Sequence, residues 1–156
     1  MIGNTSPSTE SHYGALLAPY LSDPANIFVI SSDFCHWGSR FRYTYYESPD
    51  GASATQLTRK SRVDADWPIH ESIRAVDRES MDAVESGEHK RFLDQLKETG
   101  NTVCGRHPIG VFMAAVERAG MGEGKGRFKF VQYERSSLVE DYGDSSVSYC
   151  SAFAVL

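Results

Sequence analysis

Apolar residues recur with helical spacing near the start of the chain. Tyr13, Leu16, Leu17 and Tyr20 stand at i, i+3, i+4 and i+7. This predicts a helix over 9–21 with those four side chains on its packed face, stopped by Asp23-Pro24. Residues 26–32 then read Asn-Ile-Phe-Val-Ile-Ser-Ser, a continuous apolar run closing in small polar residues. Such a run predicts a strand buried on both faces in a parallel sheet covered by helices. Its carboxyl end is then a place where open α/β sheets bind ligands.

The pattern changes twice further on. Residues 40–46 are aromatic and basic, and 48–66 are polar, with Gly51 and the basic knot Arg59-Lys60-Ser61-Arg62. The polar stretch reads as a surface loop or insertion. Helical periodicity returns over 68–84, where Pro68 suits the first turn and Ile69, Ile73 and Val76 share a face. Ser86-Gly87 breaks it. A shorter helix over 88–97 carries Phe92, Leu93 and Leu96 and ends at Gly100, and a third opens at Pro108, buries Ile109, Phe112, Met113 and Val116, and stops at Gly120. Residues 127–134 and 145–156 read as strands. In the second, Val147, Tyr149, Phe153 and Val155 alternate with small residues that include Cys150. The order predicts an α/β fold, a mixed and mostly parallel sheet flanked by helices, in a single domain.

Composition narrows the classes. The chain has 156 residues, 40% of them hydrophobic, and a formal net charge of −5. One domain with an ordinary core follows. The acidic balance argues against a nucleic-acid partner, which would need a basic face. No apolar run is long enough for a membrane span, and the first residues lack the pattern of a secretory signal. Three widely spaced cysteines form no disulfide framework, which points to a reducing, cytoplasmic setting.

Chemistry concentrates in two clusters at element–loop junctions. The first is Ser31-Ser32-Asp33-Phe34-Cys35-His36-Trp37-Gly38, and the second runs from Asn101-Thr102-Val103-Cys104 through Gly105-Arg106-His107-Pro108. Asp33 and His36 are ligand types shared by iron, zinc and copper sites. They are equally at home as a turn cap and a hydrogen-bonded loop histidine. Cys104 precedes a helix N-terminus beside Arg106 and His107, a setting that favours thiolate for metal binding or nucleophilic attack. The alternative is a small buried hydrophobe. Cys150 reads as core, and His12, His70 and His89 as solvated residues on polar helix faces. The glycine-rich stretch 120–126 fails as a phosphate loop, since its spacing is wrong and it leaves a helix instead of entering one.

Taken together, the two clusters resemble the Memo family, named for a mediator of receptor-driven cell motility. The match runs from Asp23-Pro24 through Ser31-Ser32-Asp33-Phe34-Cys35-His36-Trp37-Gly38 and Arg40-Phe41-Arg42-Tyr43-Thr44-Tyr45-Tyr46. It continues with the stretch from Asn101 to Gly110 and with Asp144-Ser145-Ser146-Val147-Ser148-Tyr149. The resemblance implies a fold similar to class III extradiol dioxygenases, which use non-haem iron. It also implies a redox protein that binds iron or copper through two histidines and a cysteine. The cysteine matches Cys104. Asp33 and His36 match residues of the same pocket, with Cys35, Trp37, Tyr45, Arg106 and His107 around it.

The family's two ligand histidines lie in motifs preceding anything matched here, so the chain reads as the C-terminal half of a Memo-like domain, with 48–66 inserted. Met1-Ile2-Gly3 reads as the middle of a buried strand. On that reading Asp33, His36 and Cys104 are the candidate catalytic residues, and Cys104 and His36 the metal ligands this chain retains. A soft thiolate departs from a ring-cleaving dioxygenase site and favours copper(I). A second reading, also implied by the family, is a non-catalytic adaptor for phosphotyrosine peptides in cell-motility signalling, cytoplasmic or nuclear. Arg40, Arg42 and Arg106 would then meet the phosphate. A third is an inactive fragment.

Overall fold

The computed structural model describes residues 2–121 and 126–156. The phosphate-loop comparison above falls mostly on 122–125, outside the described residues. Four helices carry the fold: α1 (Pro7–Leu21), α2 (Ile69–Glu85), α3 (His89–Thr99) and α4 (Arg106–Ala119). Five strands accompany them: β1 (His36–Trp37), β2 (Tyr45–Glu47), β3 (Ala54–Gln56), β4 (Phe128–Arg135) and β5 (Ser146–Ala154). None of the described helices is long and apolar enough to cross a membrane.

The fold is α/β, but the sheets are antiparallel where a mostly parallel one was expected. One sheet has the order β1-β5-β4, and a separate hairpin pairs β2 with β3. Strand direction follows from long-range register, which no local pattern records. The β2–β3 hairpin also gives the polar stretch 48–66 an ordered start: Ser48 N–H donates to Ser53 O at 2.9 Å, closing the turn.

Helices α2 and α3 behave as their periodicity dictates. Ile69, Ile73, Val76, Met81 and Val84 of α2 are buried, as are Phe92 and Leu96 of α3. Gly100, at φ 68°, ends α3 in the left-handed conformation that a glycine adopts without strain. Met81, Val84, Phe92, Leu96, Phe34, Val103 and Met113 form the largest part of the core.

Helix α1 turns the other way from its predicted face. Tyr13, Leu16 and Tyr20 are exposed, while Glu10, Gly14 and Leu21 are buried. Two contacts decide this. Gly14 lies against α4 so closely that a Cβ there would stand 2.7 Å from Ala114 Cβ. Glu10, 1% exposed, accepts from His89 Nε2 at 2.7 Å and from His107 Nδ1 at 2.7 Å. His89 is therefore a buried partner of a carboxylate, not a solvated surface residue. A buried charge is tolerated because its hydrogen bonds are met.

The run 26–32 also departs from expectation. It is no part of a sheet: Ile27 and Val29 are 89% and 87% exposed, while Phe28 and Ile30 pack toward α4. An apolar run becomes a doubly buried strand only where neighbouring strands cover it, and among the described residues none pairs with it. Ile2 and Gly3, read above as the middle of a strand, lie in no strand either.

Candidate functional site

The two sequence clusters meet in the structure, sewn together by hydrogen bonds between their backbones and short side chains. Cys104 N–H donates to Asp33 O at 3.0 Å, and Gly105 N–H to Ser32 Oγ at 2.8 Å. His36 N–H donates to Thr102 Oγ1 at 2.7 Å, and the Thr102 hydroxyl donates back to His36 O at 3.1 Å. Gly105 permits the approach, since a Cβ there would stand 2.5 Å from Ser31 O. On the far side, β1 is held by β5 through the pairs His36 with Val147 and Trp37 with Ser146.

His36 is fixed in one tautomer. Its Nδ1 lies 2.9 Å from Phe34 O and 3.3 Å from Thr102 O. Carbonyl oxygens only accept, so Nδ1 carries the proton and donates. In the neutral ring Nε2 then keeps its lone pair, the arrangement a metal-ligating or proton-accepting imidazole needs. Nε2 stands 3.9 Å from Asp33 Oδ2. Phe41 packs edge-on against the His36 ring at 5.2 Å, and the Arg40 guanidinium covers the other ring at 4.6 Å. Cys104 is exposed just before α4.

Other expected pocket residues lie elsewhere. Cys35 and Trp37, 1% and 0% exposed, belong to the core. Burial, with the Asp77 carboxylate beside it, pushes the Cys35 thiol well above its usual range, so it is an inert protonated thiol. Tyr45 lines a separate acidic cleft with Glu47, Glu79 and Glu98. There burial, then the neighbouring Glu79, pushes the Glu47 carboxyl up to about 7. His107 is tied to Glu10 through Nδ1. The Arg106 Nε is buried with no hydrogen-bond partner among the described residues. Cys150, on β5, faces an apolar cleft of about 360 Å³ between 26–34 and the sheet, and burial pushes its thiol up to about 12.

Sequence reading missed Asp77. This residue, 0% exposed, accepts from Cys35 N–H at 3.1 Å, from Asn101 Nδ2 at 3.0 Å and from Tyr133 OH at 3.0 Å. The available signal was an acid beside Val76 and one turn from Ile73, within the apolar face of α2.

By themselves these residues do not close a metal site. Among the described residues no group of three or more His, Cys, Asp or Glu side chains is arranged to hold a metal ion. Asp33, His36 and Cys104 stand along the junction of the two clusters.

A family profile described as Memo-like protein matches residues 1–153. Protein MEMO1 of Danio rerio is 40% identical over 156 residues, covering 100% of this chain and 47% of the relative. Protein MEMO1 of Homo sapiens is 39% identical over 151 residues, covering 97% of this chain and 46% of the relative. A MEMO1 family protein of Schizosaccharomyces pombe is 43% identical, covering 99% of this chain and 50% of that protein. The chain spans about half the length of the curated relatives it matches, and by its match from residue 1 to residue 153 it belongs to the Memo family.

Proposed function

We propose that the chain supplies the thiol and one imidazole of a redox centre that binds iron or copper, the remaining donors coming from polypeptide beyond the matched half. The observation that carries this reading is the junction of the two clusters. It fixes His36 with Nε2 free and presents an exposed Cys104 on the adjoining loop. Catalytic metal sites commonly use three protein ligands with a position left open, so the partial set calls for more donors. Asp33, with Oδ2 at 3.9 Å from His36 Nε2, offers a carboxylate to a ligand shared with that nitrogen. The thiolate makes copper(I) the better-suited metal and ring cleavage a poor fit.

The test is an anaerobic titration with iron(II) and copper(I) of this chain co-purified with the unmatched half of the Danio rerio relative. Tight stoichiometric binding that is lost in Cys104→Ala supports the reading. Tight binding unchanged in Cys104→Ala sinks it.

A second reading is an adaptor for phosphotyrosine peptides. What favours it is that Arg40 and Arg42 are both exposed around one short turn, where guanidinium groups can reach a phosphate. A titration with phosphorylated and unphosphorylated forms of one peptide decides it, and equal affinities would exclude this role.

A further inference from the structure

We propose that Asp77 is the positioning residue of the Asp33–His36–Cys104 site, the buried carboxylate that sets the distance between the His36 strand and the Cys104 loop. The inference rests on the reading of those residues as the site. Asp77 touches none of the three. It holds the residue next to His36, through Cys35 N–H at 3.1 Å, and the residue next to Thr102, through Asn101 Nδ2 at 3.0 Å. Thr102 in turn exchanges two hydrogen bonds with the His36 backbone, and Cys104 follows two positions later. The other oxygen of Asp77 accepts from Tyr133 OH on β4 at 3.0 Å. The Ser148 hydroxyl, on β5, lies 3.2 Å from the same phenol. One carboxylate on α2 thus joins both sequence clusters and both long strands.

The donor set argues for design around an ionised acceptor. Cys35 N–H, Asn101 Nδ2 and Tyr133 OH all donate, and none of them offers Asp77 an oxygen that must accept from it. Burial acts in the opposite sense, raising its pKa, and the hydrogen bonds from Ser148, Asn101, Tyr133 and Cys35 oppose that rise. The orientation of Asn101 follows from the same carboxylate. Its amide nitrogen faces Asp77 Oδ1 and also Ser80 Oγ at 2.9 Å, while Ser80 spends its own proton on the Val76 and Gln95 oxygens. Flipping the amide would set oxygen against oxygen at both places. The cost is visible: Asn101 Oδ1 is buried without a partner. Asn101 is therefore placed for what its nitrogen holds, and what it holds is the root of the Cys104 loop.

The experiment is residue-resolved amide hydrogen exchange on the full chain. It compares wild type with Asp77→Asn and with Val76→Ala, a neighbouring core truncation whose side chain has no hydrogen-bonding group. In Asp77→Asn the His36 and Cys104 amides are expected to exchange at least about tenfold faster, relative to the Phe92 amide in the core, because the Oδ1 hydrogen bonds to Cys35 N–H and Asn101 Nδ2 lose their charge assistance and the new amide N–H groups displace the Tyr133 proton. In Val76→Ala the three amides are expected to speed up by one common factor. A common factor in Asp77→Asn as well would overturn the proposal, since Asp77 would then be ordinary core structure. Should Asp77→Asn fail to fold, Asn101→Ala keeps the carboxylate and cuts the ties of the loop to Asp77 and to Ser80. The same selective acceleration is expected there, and its absence overturns the proposal. The measurement uses no metal, so a chain that proves unable to take part in metal binding defeats the functional reading and leaves this one intact.

Discussion

Two regions of the molecule treat apolar surface in opposite ways. From residue 33 to residue 121 no large hydrophobic side chain is exposed. Helices α2 and α3 bury apolar faces set with a few hydrogen-bonded polar residues, Asp77 and His89 among them, and present charge to solvent. The flanking parts carry every exposed large hydrophobic among the described residues: Tyr13, Leu16 and Tyr20 on α1, Ile27 and Val29 after it, and Val131, Leu138, Tyr149, Phe153 and Val155 in and around β4 and β5. Exposed apolar patches are where proteins meet another protein, a membrane or a ligand. Asp33, His36 and Cys104 stand on the border between the two regions, where a covering polypeptide could add donors to theirs.

The largest expected effect breaks the closed region. Phe92→Ala, at a position 0% exposed, should destabilise the chain by about 3–5 kcal/mol through lost burial and a residual cavity, read by denaturant titration. Next comes the joint between the regions. Glu10→Ala leaves the His89 ring N–H buried without its acceptor and takes from His107 Nδ1 a partner that Thr5 Oγ1, at 3.0 Å, replaces only in part. It should cost about 2 kcal/mol and expose α1 to proteolysis. A loss below a few tenths would show that α1 is held by Gly14 and Leu21 packing alone.

A pH series sharpens the comparison inside the closed region. Glu47 is raised from 4.5 to about 7, first by burial and then by Glu79. A carboxyl raised on folding stabilises while protonated, fully below about 4.5, and that contribution is lost as pH rises through about 7. Glu47→Gln keeps a neutral side chain throughout. Melting temperatures measured at pH 5 and pH 8 should therefore fall less across that interval in the variant than in wild type. Parallel curves would contradict the assignment. The smallest effect belongs to the open region. Ile27→Ser with Val29→Ser should change the stability of the chain alone by no more than about 0.5 kcal/mol, since both side chains already lie in water. The same pair should abolish co-purification with the unmatched half of a relative.

This division also explains what the sequence made legible. Helices α2, α3 and α4 were readable because each packs against partners within the chain, so period and burial agree. Helix α1 was read to the right length and turned to the wrong face. Three of its four periodic apolar residues, Tyr13, Leu16 and Tyr20, point outward while Leu17 packs toward α4, and its seat there is completed by a glycine and a buried carboxylate, which no hydrophobic pattern scores. The run 26–32 was misread for a related reason: an apolar strand signal presumes ladder neighbours, and the described residues provide none. Sheet direction was lost because β1 pairs with β5 across a long sequence separation, and because the run 26–32, read as a parallel strand, joins no sheet. At the site, Asp33, His36 and Cys104 could be named from their motifs, and their junction through Thr102 and Gly105 emerged only in three dimensions. Cys35 and Trp37 sit in the same motif yet face the core, because strand alternation and the Asp77 anchor decide which side chains reach the surface.

The most direct test of the account is X-ray absorption at the metal edge, on copper-loaded protein assembled from this chain and the unmatched half of a relative. The account predicts one sulfur scatterer together with imidazole nitrogen, the sulfur disappearing in Cys104→Ser. A shell of nitrogen and oxygen alone in the wild-type assembly, or a sulfur signal that survives Cys104→Ser, would contradict it.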